Sequence, residues 1–175
     1  MDTTRFWEIV AESRANFDPE LADGNMDAQL ERLQELLGEL SPAEVLEFQR
    51  ELDERMNAAY RWDLWGAAYL IEGGCSDDGF TDFRSWLISM GRDVYDAAVR
   101  DPETLVEVAD ADGVEATSFE EFQYVPSQVY EEKAGQEMPD TGVMHPEEPA
   151  GEQWSEEGDD LSRLFPKLWA QYGDA

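Results

Sequence analysis

The chain of 175 residues has one cysteine, one histidine and two lysines, and each scarcity closes off a class of function. Lone Cys75 has no intramolecular disulfide partner, and no Cys/His set has the spacing of a zinc site. No metal and no cofactor are therefore expected. His145 falls beside Pro146 in a polar stretch, where the expectation is a solvated side chain and not a positioned general base. Bases are few altogether: 12 Lys plus Arg stand against 42 Asp plus Glu, a formal net charge of −30. Binding to nucleic acid backbones or anionic lipid needs a dense basic patch, so neither direct nucleic acid contact nor membrane docking is expected. No long hydrophobic run exists either. The uncharged apolar stretch Leu64–Ile71 is far shorter than the ~20 residues of a membrane span. Residues 1–30 lack a basic segment followed by an apolar one, so no secretory signal is read and a cytoplasmic location is expected. There is no P-loop, G-x-G-x-x-G or G-x-S-x-G. Asp110-Ala111-Asp112-Gly113 fails as a calcium loop, because aligning Gly113 with the obligate glycine puts Val108 and Phe119 at ligand positions.

What is present is apolar periodicity. A hydrophobic content of 42%, with 11% aromatic, is ample for a folded core. Phe6, Ile9, Val10 and Ser13 share one face of a helix beginning near Asp2 or Thr3. Met26, Leu30, Leu33, Leu37 and Leu40 form a second helical stripe. Ser41-Pro42-Ala43-Glu44 combines a capping box with proline at the first helical position, and Val45, Phe48, Leu52, Met56 and Tyr60 continue from it. Trp62–Ile71 is apolar nearly all round, which predicts burial on most sides. Its Gly66, Ala67 and Ala68 are small enough for another helix to approach closely. Gly73-Gly74 ends that helix, and Ser76, Asp77 and Asp78 are candidate caps for the next, with Phe80, Phe83, Trp86, Leu87 and Met90 facing inward. Asp101-Pro102 starts a short helix, and Ser118-Phe119-Glu120-Glu121 offers a second capping box. No period-two alternation with hairpin turns appears. The fold class is all-α.

Charge is uneven along the chain. The first hundred residues carry −13 and the last seventy-five −17. Residues 1–135 read as a compact multi-helix body and 136–158 as an acidic, Pro/Glu-rich extended linker. Residues 159–175 read as an amphipathic C-terminal segment, in which Leu161, Leu164, Phe165, Leu168, Trp169 and Tyr172 recur at helical spacing and Pro166 divides two short turns. That apolar face must bind the body, a partner or a second copy of the chain, so a homodimer through Leu161–Tyr172 is one expectation.

Polar chemistry concentrates at one corner, where a buried helix meets a glycine turn and a new helix N-terminus. Trp62, Asp63, Trp65, Cys75, Ser76, Asp77 and Asp78 are the candidate ligand-binding residues there. A helix N-terminus can bind an anion or lower a thiol pKa, but the same residues equally serve as core and caps. No residue is assigned a catalytic role. W-D-L-W-G-A-A-Y-L-I-E-G-G-C-S-D-D-G-F, followed by F-R-S-W-L-I-S-M-G-R, resembles the core motif of the bacterial "domain of unknown function 4240" family. F-E-E-F-Q-Y-V and V-Y-E-E-K-A-G resemble its second block. The resemblance runs from about Phe6 to Lys133. It implies a small bacterial protein with no assigned activity, so no catalytic residue carries over.

Two functions compete. One is a non-enzymatic acidic interaction or regulatory module for a basic protein partner, since an acidic surface attracts cations and speeds encounter. The other is an enzyme or a small-ligand or metal-binding protein with its site at Gly73–Asp78. A cleft lined by Trp62 and Trp65 would favour the second.

Overall fold

A computed structural model describes residues 1–156 and 159–173. Glu157, Gly158, Asp174 and Ala175, which belong to the expected linker and C-terminal segment, lie outside the described residues. The fold is all-α. Among the described residues nine α-helices and one 3-10 helix form, and the sole β-type contact is an isolated bridge between Arg61 and Ala150.

Helix α1 (Thr3–Ser13) starts at Asp2, whose carboxylate accepts the Arg5 N–H. It buries Phe6, Trp7, Ile9 and Val10. Helix α2 (Asn25–Gly38) buries Leu33, Leu36 and Leu37, while Met26 and Leu30 are only partly covered. The Ser41–Glu44 capping box forms in both directions and opens α3 (Pro42–Ala58), which contributes Val45, Phe48 and Leu52. Helix α4 (Trp62–Glu72) ends on Gly73 at φ 68°, a left-handed backbone suited to glycine. Helix α5 (Asp77–Ser89), capped by Ser76, is the most enclosed, with every residue from Phe83 to Ser89 buried.

The second capping box is not formed. Helix α7 (Glu120–Ala134) begins after Phe119, with no side-chain cap. The reason is tertiary: Phe119 is buried, its N–H donates to the Asp82 carbonyl at 3.1 Å, and its own carbonyl accepts the Ser85 hydroxyl at 2.7 Å. Docking onto α5 sets the chain's entry, and the helix starts past Ser118. Helix α6 (Arg92–Arg100) and the 3-10 turn Pro102–Glu107 complete the body. Helix α7 lies against α2, α3 and α5 and joins the two halves of the core.

Residues 136–156 contain no regular element, yet they lie along the body. Arg50 Nε donates to the Thr141 carbonyl at 3.1 Å and Thr141 Oγ1 to Asp53 at 2.5 Å. Asn57 Nδ2 donates to the Met144 carbonyl at 3.0 Å. The Ala150 N–H donates to the Tyr60 carbonyl, and Trp62 N–H donates back to Ala150, both at 2.9 Å. Composition weighs apolar burial and misses such polar strapping. Beyond it, α8 (Asp160–Leu164) and α9 (Pro166–Tyr172) divide at Pro166. They dock on the body: Leu161, Phe165 and Leu168 join its core together with Trp154. Gly66 makes this fit. A Cβ there would stand 2.5 Å from Phe165 Cε2 and 3.1 Å from Trp154 Nε1.

Candidate functional site

The helix pattern places Trp62 and Trp65 one turn apart at the start of α4, on the same face. Their indoles stack at 5.2 Å with 7° between planes. Trp65 stacks in turn on Phe80 of α5 at 5.1 Å and 9°. The docked segment adds Trp154, perpendicular to Trp62 at 89° with centroids 6.3 Å apart. Its Nε1 donates to the Trp62 carbonyl at 2.7 Å. The three indoles line an open cleft of about 580 Å³ together with Glu156 and Asp160. Both carboxylates are held from one side. Tyr69 donates its hydroxyl to Glu156 at 3.2 Å, and Asp160 accepts the Ser155 N–H at 3.1 Å and Arg163 Nη2 at 2.8 Å.

The remaining residues of the glycine corner have different surroundings. Asp63 forms a two-point ion pair with Arg61 at 2.9 and 2.7 Å and accepts the Leu64 N–H at 2.8 Å. It lines a smaller hollow of about 310 Å³ that shares Trp154 and Asp160 with the aromatic cleft. Cys75 meets the cleft only through its carbonyl, which accepts Trp65 Nε1 at 3.0 Å. Burial, reinforced by the Glu72 carboxylate, pushes its thiol up to about 12. Ser76 accepts the Gly79 N–H at 3.1 Å as the cap of α5. Asp77 and Asp78 sit in the exposed first turn of that helix and line neither cleft. The structure thus brings Trp62 and Trp65 together, sets Asp63 beside them, and leaves Cys75, Ser76, Asp77 and Asp78 at a separate helix start. Among the described residues no cluster of three His, Cys, Asp or Glu is disposed to hold a metal.

A second cleft, of about 570 Å³, opens between α3, α5, α7 and the strap 138–145. Motif reading passed over it. Its floor is Arg84, 2% exposed, which lies over the rings of Tyr60 and Phe80 at 4.7 and 5.0 Å. Its Nη1 donates to the Met56 carbonyl at 2.9 Å and Nη2 to Thr81 Oγ1 at 3.0 Å, with Nε reaching the Phe80 carbonyl at 3.3 Å. Among the described residues it has no ion pair. Desolvation pulls its pKa down, against the pull of Tyr60 and Asp77. A signal for it did exist, since Arg84 stands one turn beyond Phe80 on an inward helix face. His145 also lines this cleft. It is exposed, yet it is held by a 2.8 Å hydrogen bond between Nδ1 and Asn57 Oδ1 and lies 5.2 Å from the Tyr60 ring. Its exposure agrees with a solvated side chain, and the strap that carries it is fastened to α3 through Thr141 and Met144.

Among the described residues, fold and clefts together define a helical protein with an aromatic, acidic cleft and another floored by a buried guanidinium. The chain belongs to the family described as Protein of unknown function (DUF4240), whose model matches residues 1–132. The match covers Trp62, Trp65 and Arg84, and ends before the strap and before Trp154. No curated protein and no solved structure matches the chain.

Proposed function

We propose that this protein is a non-enzymatic interaction module that seats a cationic side chain of a basic protein partner in the Trp62–Trp65–Trp154 cleft. One observation carries the reading. Three indoles, two parallel and one perpendicular, line an open cleft whose charged side chains, among the described residues, are the carboxylates of Glu156 and Asp160. Indole faces attract cations through the ring quadrupole, and tryptophan is the strongest of the aromatic side chains in this respect. The net charge of −30 adds long-range steering of a basic partner toward the surface.

A ligand site at the Gly73–Asp78 corner has less behind it. Ser76 is engaged as a cap, and a thiol pushed up to about 12 is a poor nucleophile. The test is titration of an Arg/Lys-rich peptide into the protein, followed by tryptophan fluorescence at several salt concentrations. Affinity is expected to fall with salt. Trp62→Ala should weaken binding by about tenfold, the size of a ~1–2 kcal/mol cation–π contact. Equal affinity for Trp62→Ala and the parent would remove the cleft from the proposal. Salt-independent binding would remove the acidic surface.

A further inference from the structure

The Arg84 cleft poses a question that a structural role does not answer. A buried charge without a partner is costly, and proteins commonly offset it with a carboxylate or with several hydrogen bonds. This chain has 42 acids, yet Arg84 is met by two carbonyls, a hydroxyl and two ring faces. Those contacts use three of the five guanidinium N–H groups. One N–H on each terminal nitrogen has no partner among the described residues, a pair suited to the two oxygens of one carboxylate.

The cleft wall has the opposite sign. Asp53 and Asp140 line it, on α3 and on the strap. Asp53 accepts Gln49 Nε2 and Thr141 Oγ1, one bond at each oxygen, and Asp140 accepts only the Gly142 N–H, at 2.7 Å. A simple anion entering here would approach Arg84 past two carboxylates and through the field of a strongly acidic protein. A molecule with both charges and no net charge avoids that repulsion and meets complementary groups at each end. The cleft, at about 570 Å³, lies in the range of small-molecule sites. His145, Gln123 and Asn57 line it with further polar groups.

We infer that this cleft binds a small amino-carboxylate zwitterion, an amino acid or a short peptide, with its carboxylate on Arg84 and its ammonium toward Asp140 and Asp53. Arg84 supplies the fork that selects a planar carboxylate. The strap 138–145 is part of the site, because it brings Asp140 and His145 over a recess otherwise built from α3, α5 and α7. The site stands apart from the Trp62 cleft, and Trp62→Ala leaves it intact.

The experiment is an NMR titration of the full chain with the standard L-amino acids and glycylglycine, each in turn. Side-chain resonances of Arg84 Nε–H and Gln123 are followed. At least one probe should give saturable shifts at both. Its carboxamide, which lacks the carboxylate, and its N-acetyl form, which lacks the ammonium, should each bind at least about tenfold more weakly. Asp140→Asn, an exposed change that leaves the core alone, should weaken the same probe by a similar factor. Arg84→Lys should abolish the carboxylate preference if it folds. Should it not fold, Asp140→Asn and the two blocked probes carry the test alone. No saturable shift up to about 20 mM of any probe overturns the inference. Equal binding of the N-acetyl form overturns the zwitterion and leaves an anion site.

Discussion

Cys75 shows how much a residue's chemistry depends on what surrounds it. Ser76 opens α5 one residue later, and a helix N-terminus ordinarily lowers a thiol pKa. Here burial wins, with the Glu72 carboxylate acting in the same direction, and the thiol is pushed up to about 12. At pH 8 the thiolate fraction is then roughly a thousandfold below that of free cysteine. The native protein should therefore react with a chromogenic disulfide reagent orders of magnitude more slowly than the urea-unfolded chain. Glu72→Gln should speed the native reaction by removing the neighbouring charge. A native rate equal to that of free cysteine would show that the thiol is not held protonated. Ser76 as a cap was legible in the sequence, because capping is local: a serine, a helix and three intervening positions settle it. Arg84 was less legible: its place on an inward face was a signal, but a charged residue there is normally counted against burial. Phe80 is its neighbour on α5, but the Tyr60 ring and the Met56 carbonyl come from the end of α3 and just beyond it, and are brought to it by folding.

Among the elements, the contact of α4 with the C-terminal helices is the one that most changes the reading of the chain. Gly66 sits mid-helix, where alanine would by intrinsic propensity be better by about 1 kcal/mol. The space beside it is taken by the edge of Phe165, 2.5 Å from the position of a new Cβ, and by Trp154 at 3.1 Å. Neither indole nor phenyl edge yields as a flexible chain would, and overpacking of this kind costs about 1–3 kcal/mol. Gly66→Ala should lose stability by a net ~1 kcal/mol in urea unfolding, and the 136–156 segment should be cut faster by protease as the tail loosens. Unchanged stability together with unchanged proteolysis would place the tail elsewhere. The smallness of Gly66, Ala67 and Ala68 predicts a close neighbour from sequence, and the C-terminal stripe predicts an apolar face. That the two belong together is a long-range pairing, which periodicity does not encode. Leu161, Phe165 and Leu168 are buried in it, while Leu164 and Trp169 of the same stripe stay partly exposed. Helix α6 illustrates the opposite limit. It buries only Tyr95 and Ala98, too few for a stripe to be read.

For the molecule as a whole, charge and fold pull against each other. Among the described residues six arginines sit in carboxylate pairs, at Arg5, Arg32, Arg55, Arg61, Arg92 and Arg163. Each pair at the surface is worth about 0–1 kcal/mol. The acids so engaged are a small part of the 42, and repulsion among the rest favours expansion. Added salt screens both effects, but the repulsive pairs are far more numerous. The melting temperature should rise between about 0.05 and about 0.5 M sodium chloride, as the Debye length falls from beyond 10 Å to a few ångströms. Proton linkage has the same sense near neutrality. Burial, with Asp82 nearby, holds the Glu72 carboxyl above its ordinary range; burial and Glu120 do the same for Asp82. An acid whose folded pKa is raised binds protons more readily folded than unfolded. Its contribution is complete below the ordinary carboxylate pKa and is lost as pH rises through the raised value. Stability should therefore increase as pH is lowered from 7.5 toward about 5. Below the ordinary carboxylate range the sign reverses for Glu44, held low by Ser41, and Asp160, held low by Arg163, which lose their favourable contacts on protonation. Thermal unfolding followed by circular dichroism across that pH range at constant ionic strength, and across the salt range at constant pH, tests both halves. A melting temperature that falls with salt would mean that the local pairs outweigh repulsion among the surplus acids in setting stability.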